Sequence, residues 1–347
     1  LITRRFYTLP WPKIKKISAL FVIFWIWCAC SLLWTIGYKE TGIEVIRLGL
    51  FMAILPLFAW SCTASLSSKQ LIGRYLVYGC CLGAVLLLLQ ILIDRTFLSI
   101  IFDQKFFITP LQQLNRVAAV LAVIMWPTIG WIWRRKHRGL AVMFWLTCLL
   151  ILWKLENETA FFAAIAASTA ALLVVIKPYV SVNIFSFLIF LAVIMAPILP
   201  QTILSPERWL GFSCNYTAPS ALHRLYVWQF AVGKTLEKPV IGWGLNTARI
   251  MPGGRDVIDI KPPCKNNWTS GESLPLHTHN AILQIWLELG GIGAVIFAFI
   301  LAVINLGILN PSRALTAFSQ GQVASAILIS GLGFGAWQSW WLSLLWL

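Results

Sequence analysis

The chain has 347 residues, of which 59% are hydrophobic and only 11% are charged. Charged residues make up about a quarter of an ordinary soluble domain, so this composition excludes that class of protein. The net charge of +15 would suit a nucleic-acid partner in a soluble protein. Here the basic residues flank apolar runs, so we expect a membrane protein with no nucleic-acid partner.

Apolar runs near the roughly 20 residues that cross a bilayer recur along the chain. They predict an all-α, polytopic transmembrane helix bundle of about nine spans. The predicted spans are 18–37, 43–64, 72–93, 116–133, 139–153, 159–176, 183–200, 280–309 and 318–345. The chain then divides into N-terminal membrane helices (1–200), a large outer loop with surface helices (201–279) and C-terminal membrane helices (280–347). Since the sequence begins without Met and ends inside an apolar run, we expect both ends to be truncated.

Basic residues mark alternate connections between the predicted spans. They are Arg4, Arg5, Lys13, Lys15, Lys16, Lys69, Arg74, Arg134, Arg135, Lys136, Arg138, Lys177 and Arg313. The positive-inside rule places these connections, and with them the N-terminus, in the cytoplasm. The loop 201–279 then lies on the outer side of the membrane.

The outer loop is punctuated by Pro and Gly and leaves one clear helix candidate, from about Ala221 to Leu236. Its apolar residues predict that it lies along the membrane surface or packs on the bundle, with Arg224 near its start. The loop also contains Cys214 and Cys264. In an oxidising compartment these thiols could form a disulfide, although spacing along the chain does not determine their separation in space.

Two of the four histidines lie in the stretch PLHTHNAILQIWLELG, at the border between the outer loop and an apolar span. Residues two apart on a helix point to different faces, and no His-x-x-x-His or Cys-x-x-Cys pattern completes a ligand set. We therefore predict no metal site. His277 is interpreted as a loop residue, whereas His279 lies where the headgroup of an amphiphilic substrate would meet water.

Polar residues continue from His279 along one face of the following helix. Asn280, Gln284 and Glu288 recur at four-residue spacing. A polar stripe would be expensive against lipid, so these side chains are predicted to point into the bundle. We interpret Gln284 and Glu288 as a supporting polar face that hydrogen-bonds to neighbouring helices.

Several arginines reach the same outer level under this topology. They are Arg47, Arg116, Arg224, Arg249 and Arg255. The planar fork of donors in arginine suits phosphate oxygens, and a histidine beside it suits proton transfer. The combination predicts a diphosphate-bearing lipid as substrate, with diphosphate binding assigned to Arg47, Arg116, Arg249 and Asn280.

The motifs of the segment 220–295 follow one another in a specific order: Arg224 with Trp228, Lys238-Pro239 with Gly242-Trp243-Gly244, His279-Asn280 with Leu283-Gln284, and Glu288-Leu289-Gly290. In this order they resemble the O-antigen ligase and polymerase superfamily, with O-antigen ligase as the closest type. Weaker similarity extends over Trp34 to Arg47 and over Leu114-Asn115-Arg116. The segment from Lys154 to Thr159 departs from the family pattern.

The resemblance implies a metal-independent glycosyltransferase without cofactors in the bacterial inner membrane. Family members move a glycan from undecaprenyl diphosphate to an acceptor at the periplasmic face, and a ligase uses a sugar of the lipid A core. His279 then corresponds to the family's essential histidine and Arg224 to an essential loop arginine. The implied partners are the lipid-linked glycan, the lipid A-core or another glycan acceptor, and membrane lipid.

The chemistry leaves some alternatives open. Since no carboxylate nucleophile presents itself at the outer face, we expect single displacement with inversion. His279 is either the base or a ligand of the diphosphate. A polymerase would use the same donor, and a protein O-oligosaccharyltransferase would use a protein hydroxyl as acceptor. A more remote alternative is an anion transporter that moves its solute past Arg47, Arg116 and Glu288, but the chain lacks the internal symmetry typical of that class.

Overall fold

Helices dominate the computed structural model, which describes residues 11–63, 66–92, 114–155, 157–212, 219–260 and 269–345. The helices are α1 (Trp11–Cys30), α2 (Tyr38–Thr63), α3 (Leu66–Leu92), α4 (Asn115–Arg134), α5 (Arg138–Lys154), α6 (Glu158–Ile176), α7 (Pro178–Met195), α8 (Pro206–Phe212), α9 (Pro219–Glu237), α10 (Ala281–Gly307), α11 (Arg313–Leu332) and α12 (Ser339–Leu345). The predicted all-α class is confirmed.

Six helices of the described residues are long and apolar enough to cross a membrane. They contain the segments Gln70–Ile91, Asn115–Arg134, Glu158–Ile176, Pro178–Met195, Ala281–Gly307 and Arg313–Leu332. The protein is therefore a polytopic membrane protein, but the expected count of nine spans is not confirmed. Helix α5 has only 17 residues, and at 1.5 Å per residue it is a few ångströms shorter than a bilayer core of about 30 Å.

The last predicted span, 318–345, is wrong as a single helix. Helix α11 ends at Leu332, an irregular segment covers 333–338, and the short helix α12 begins at Ser339. Gly331 lies at the end of α11, and Gly333 and Gly335 lie in the irregular segment; glycine costs about 1 kcal/mol per residue in a helix interior. Hydropathy alone does not register that cost, because the stretch remains apolar.

Two compact units make up the structure. The first contains Leu1–Ile54, Ile184–Gly307 and Ser330–Ser343. In it, α1 packs along α10. Their buried cluster includes Phe24 and Cys28 from α1 with Ile285, Leu289 and Ala298 from α10. This apolar seam supports the helix that carries the polar stripe.

The second unit contains Leu55–Asn183, Ile308–Ile329 and Leu344–Leu347. Helix α6 buries a face made almost wholly of alanine: Ala160, Ala163, Ala164, Ala167, Ala170 and Ala171. Small residues allow membrane helices to approach closely, which suits the packing of α6 on α4 and α5. Within the same unit, Trp126 on α4 donates from Nε1 to the Ser325 hydroxyl at 2.9 Å.

The segment 201–279, which is the predicted outer loop, contains α8, α9 and a small hairpin. Helix α9 confirms the helix predicted from Ala221 to Leu236 and packs on α10, where Leu222 and Trp228 join one buried cluster with Leu283 and Leu287. The hairpin pairs β1 (Val257–Ile260) with β2 (Thr269–Glu272) in antiparallel register. Strands of four residues give too little periodicity for sequence analysis to detect them.

Candidate active site

Helix α10 is interrupted at Gly290, where φ is 64° and ψ is −169°. A break in a membrane helix leaves backbone groups without their helical partners, and in apolar surroundings each must find another. The segment 239–244 runs alongside the break and supplies them. The bonds are Trp243 N–H to Leu287 O (3.0 Å), Gly244 N–H to Glu288 O (2.8 Å), Gly291 N–H to Pro239 O (2.8 Å) and Ile292 N–H to Val240 O (3.2 Å). The segment thus replaces part of the helical ladder.

Glycine is required on both sides of this junction. At Gly242, whose φ is 69°, an added Cβ would lie 2.5 Å from the carbonyl oxygen of Glu288. At Gly290 an added Cβ would lie 2.3 Å from the carbonyl oxygen of Val240. The left-handed backbone and the lack of space together favour glycine alone. The Gly-x-Gly and Glu-x-Gly elements of the sequence are therefore two halves of one backbone junction.

The side chain of Glu288 is fully buried beside this junction. Its carboxylate accepts hydrogen bonds from Asn246 N–H (2.5 Å), Ala248 N–H (3.2 Å), Gln284 Nε2 (2.9 Å) and Trp337 Nε1 (2.5 Å). A buried carboxylate is tolerated when its oxygens are satisfied in this way. Two of the four donors belong to the backbone of the turn that carries Arg249. Glu288 therefore positions that turn.

The irregular segment 333–338, which we call the C-terminal loop, meets side chains from distant parts of the chain. At the entry to the loop, Arg224 Nη1 donates to the carbonyl of Leu332 (2.9 Å), the last residue of α11, and His279 Nδ1 faces Gly333 O (3.4 Å). Further along, Gln284 Oε1 accepts from Ala336 N–H (2.8 Å). Trp337 Nε1 donates to Glu288, and the carbonyl of Trp337 accepts from Arg47. Five predicted site residues thus converge on one short loop and its entry, although hydropathy placed the loop inside a membrane helix.

Helix α9 carries Arg224 toward the histidines. One turn after Arg224, Trp228 donates from Nε1 to the carbonyl of Thr278 (2.9 Å), which fixes the segment before α10 against α9. The rings of His277 and His279 lie edge to face with centroids 4.3 Å apart. The backbone of His279 is left-handed, with φ 53°.

Both histidines are neutral at pH 7. Burial lowers the pKa of His279 to about 4, and the charge of Arg224 and that of His277 in its protonated form add to that effect. Burial, followed by the charges of Arg249 and Arg224, lowers the pKa of His277 to about 4. Because Nδ1 of His279 faces a carbonyl, its proton resides there and Nε2 keeps the lone pair of a base.

The other predicted arginines differ in their placement. Arg47 on α2 pairs with Glu44 at 2.6 Å and reaches the C-terminal loop. Arg249 is exposed, and its charge lowers the pKa of His277. Arg116 lies in the second unit at the exposed start of α4, and its role stays a prediction.

Asn280 has a structural task. Its Oδ1 accepts from Ile282 N–H (3.1 Å) and Leu283 N–H (3.0 Å), which makes it the N-cap of α10. Diphosphate binding by Asn280 stays a prediction. The disulfide predicted between Cys214 and Cys264 falls outside the described residues.

Sequence analysis did not identify His277 and Gln338 as site residues. The Gln338 amide lies 2.8 Å from Nε2 of His277, and Nδ1 of His277 accepts the backbone N–H of His279 at 3.1 Å. The nearness of His277 to His279 in the chain is a signal that could have pointed to the first residue. No comparable signal marks Gln338, which lies within the predicted span 318–345.

The site combines the guanidinium groups of Arg47, Arg224 and Arg249 with a neutral imidazole that carries a free lone pair. Fixed cations stabilise negative charge that develops on a leaving group, and such an imidazole accepts a proton from a hydroxyl. The arrangement suits a transfer reaction with an anionic leaving group and a hydroxyl acceptor.

Comparisons with known proteins place the chain in a family. A family model described as O-antigen ligase matches residues 106–298, which is more than half of the chain. A Rickettsia conorii protein named "Putative polysaccharide ligase" is 28% identical over 330 residues, covering 93% of this chain and 75% of that protein. A Rickettsia bellii protein of the same name is 27% identical over 326 residues, covering 91% of this chain and 75% of its own length. No solved structure matches. The chain belongs to the O-antigen ligase family.

Proposed function

We propose that this protein is an O-antigen ligase of the bacterial inner membrane that transfers a glycan from undecaprenyl diphosphate to a sugar of the lipid A core. The observation that carries the proposal is the convergence of His279, Arg224 and Arg47 on the C-terminal loop. The family relationship supports a polysaccharide ligase activity, and the charge pattern of the connections supports a periplasmic site.

In this proposal the arginines hold the leaving diphosphate. Arg224 and Arg47 each donate to a backbone carbonyl, and Arg47 also donates to Glu44, so both guanidinium groups are held beside the C-terminal loop. The planar fork of N–H donors in arginine suits phosphate oxygens. Arg249 is exposed beside the histidines. Removing one such group from a preorganised site typically lowers the rate by about 10²–10³.

The transfer itself is a single displacement at the anomeric carbon. Nε2 of His279 takes the proton of the acceptor hydroxyl while the hydroxyl oxygen bonds to the anomeric carbon. The bond between that carbon and the diphosphate oxygen breaks, and its electron pair stays on the diphosphate. The attack from the opposite face inverts the anomeric centre.

Binding of the lipid-linked glycan donor also makes His279 a stronger base. A histidine whose pKa is about 4 is a weak base at neutral pH. The negative charges of a bound diphosphate favour the protonated imidazole and raise the pKa of His279 toward its ordinary value. Proton transfer is then strongest when the donor is already in place.

The proposal is tested by deleting the gene in its host and complementing with variants at equal protein level. We expect His279→Ala and Arg224→Ala to lower attachment of polysaccharide to the lipid A core by about 10²–10⁴. His137→Ala and Arg208→Ala are matched controls, because both side chains are exposed and lie outside the site. Full attachment in both site variants would overturn the proposal.

The species that accumulate in the deletion strain distinguish the ligase from its alternatives. A ligase defect leaves long glycan chains on undecaprenyl diphosphate and a bare core. A polymerase defect instead leaves the core with a single repeat unit, and a protein O-oligosaccharyltransferase defect removes glycan from proteins. Extraction of the lipid-linked pool and gel separation of the lipopolysaccharide measure all three.

A further inference from the structure

The left-handed backbone conformation of His279 is strained and needs a stabilising contact. Among the described residues only Lys136, Asn246 and His279 combine a side chain with positive φ, a conformation that costs about 1–2 kcal/mol. His279 precedes the N-cap of α10, so its N–H does not join the helical ladder. That N–H instead donates to Nδ1 of His277 at 3.1 Å.

This contact determines the tautomer of His277. A nitrogen that accepts a hydrogen bond carries no proton, so in the neutral ring the proton lies on Nε2. Nε2 is 2.8 Å from the terminal amide of Gln338 and must donate to it. Gln338 therefore presents its carbonyl oxygen to Nε2–H, because the oxygen and nitrogen of an amide are assigned from the hydrogen bonds that they make.

Gln338 is itself held in place by the C-terminal loop. The two residues before it are bonded to the core of the site: Ala336 N–H to Gln284, and Trp337 to both Glu288 and Arg47. The loop also presses on His277, because an added Cβ on Gly335 would lie 2.8 Å from Cβ and Cγ of that residue. His277 thus joins a fixed loop to the backbone of His279.

We infer that His277 is a positioning residue, fixed as its Nε2–H tautomer by Gln338, which holds His279 in its left-handed conformation. The inference rests on the proposed role of His279 as the base. It also excludes His277 from acting as a second base, because Nδ1 accepts the backbone N–H and Nε2 donates to Gln338, so no lone pair is left for a substrate proton.

Two substitutions of His277 separate its two contacts. In His277→Asn, the side-chain oxygen can occupy the place of Nδ1 and accept the N–H of His279, but the contact with Gln338 is lost. In His277→Gln, the amide nitrogen can occupy the place of Nε2 and donate to Gln338, but the acceptor for His279 is lost. We expect His277→Asn to be at least about tenfold more active than His277→Gln, since displacement of a reacting group by 1 Å can cost about 10²-fold.

The measurement uses the full chain in lipid nanodiscs, with lipid-linked donor and core acceptor extracted from the deletion strain. The loss in His277→Gln should fall on kcat, with KM for the donor little changed, because the arginines are untouched. Equal activity of His277→Asn and His277→Gln, or a lower activity of His277→Asn, would overturn the inference.

A second pair of variants keeps the test decisive if a substitution of His277 prevents folding. Gln338→Glu retains an acceptor for Nε2–H, whereas Gln338→Leu removes it, so the first should exceed the second in kcat at equal melting temperature. The reverse order would count against the inference. Loss of activity in His279→Ala without this order disproves only the positioning role, whereas full activity in His279→Ala disproves the proposed function itself.

Discussion

Two indoles in the second unit and a buried carboxylate in the first use their hydrogen bonds differently. In the second unit, the indoles of Trp126 and Trp145 each donate one hydrogen bond to a serine hydroxyl, at 2.9 and 3.1 Å. In the first unit, the carboxylate of Glu288 accepts four hydrogen bonds beside a helix that is broken at Gly290. The first pattern ties helices together, and the second ties loops to a helix.

This difference suits a second unit that acts as a scaffold and a first unit that holds the candidate site. Charged side chains and interrupted helices are expensive in a membrane and occur where neighbouring groups of the protein satisfy them. Glu288 and Gly290 lie in the same unit as Arg224, His279 and Arg47. Burying Glu288 and breaking the helix at Gly290 both cost free energy. That cost falls in the unit whose loops must be held in place for the proposed reaction.

The largest effect should come from Glu288. Replacement by Leu leaves four donors without their acceptor, and each buried unpaired group costs about 1–3 kcal/mol. We expect Glu288→Leu to abolish ligation and to lower the melting temperature of the purified protein. Glu288→Gln keeps the shape but turns one acceptor into a donor, so it should retain more stability than Glu288→Leu. Equal melting temperatures for wild type and Glu288→Leu would contradict the importance of this network.

A smaller effect is expected from the junction in α10. In Gly290→Ala, the added Cβ would lie 2.3 Å from the Val240 carbonyl oxygen, so the segment 239–244 must move. Because the turn of Arg249 follows that segment, we expect ligation to fall by about 10²-fold. The control is Gly307→Ala in the same helix, where an added Cβ meets nothing within 4 Å. Similar activity in both variants would show that the junction is tolerant.

Sequence analysis predicted the helices well where a single physical requirement dominates. A span of about 20 apolar residues is needed to cross the bilayer, and the predicted spans 116–133 and 159–176 agree with α4 and α6 to within one residue at each end. The C-terminal loop was missed because all of its residues except Gln338 are glycine or apolar, although its backbone bonds to Gln284 and Arg47 from other parts of the chain. Hydropathy does not contain that information.

The charged residues of the candidate site could be predicted from the sequence, but their hydrogen-bond partners could not. Arginine is costly near a membrane and suits phosphate, so Arg47 and Arg224 could be selected by type and level. The role of Glu288 depends on Asn246 and Ala248, which lie about forty residues earlier in the chain. The role of His277 depends on the left-handed turn at His279. The spacing of residues along the chain predicts neither which distant segment packs beside Glu288 nor the backbone angle of a single residue.

The smallest effect should come from the second unit, where Trp126→Phe removes one indole N–H and leaves the buried Ser325 hydroxyl without its donor. We expect the free energy of unfolding to fall by about 1–2 kcal/mol, because single hydrogen bonds between membrane helices are weak. Ligation per folded molecule should remain unchanged, since the variant disturbs packing and no charged group.

Ser325→Ala should have a similar effect, and the double variant should lower the free energy of unfolding by less than the sum of the two single variants, because the same bond is removed once. Thermal unfolding in detergent, with ligation assayed at equal folded protein, measures both quantities. A large loss of ligation in Trp126→Phe at normal stability would mean that the second unit takes part in the reaction and is not only a scaffold.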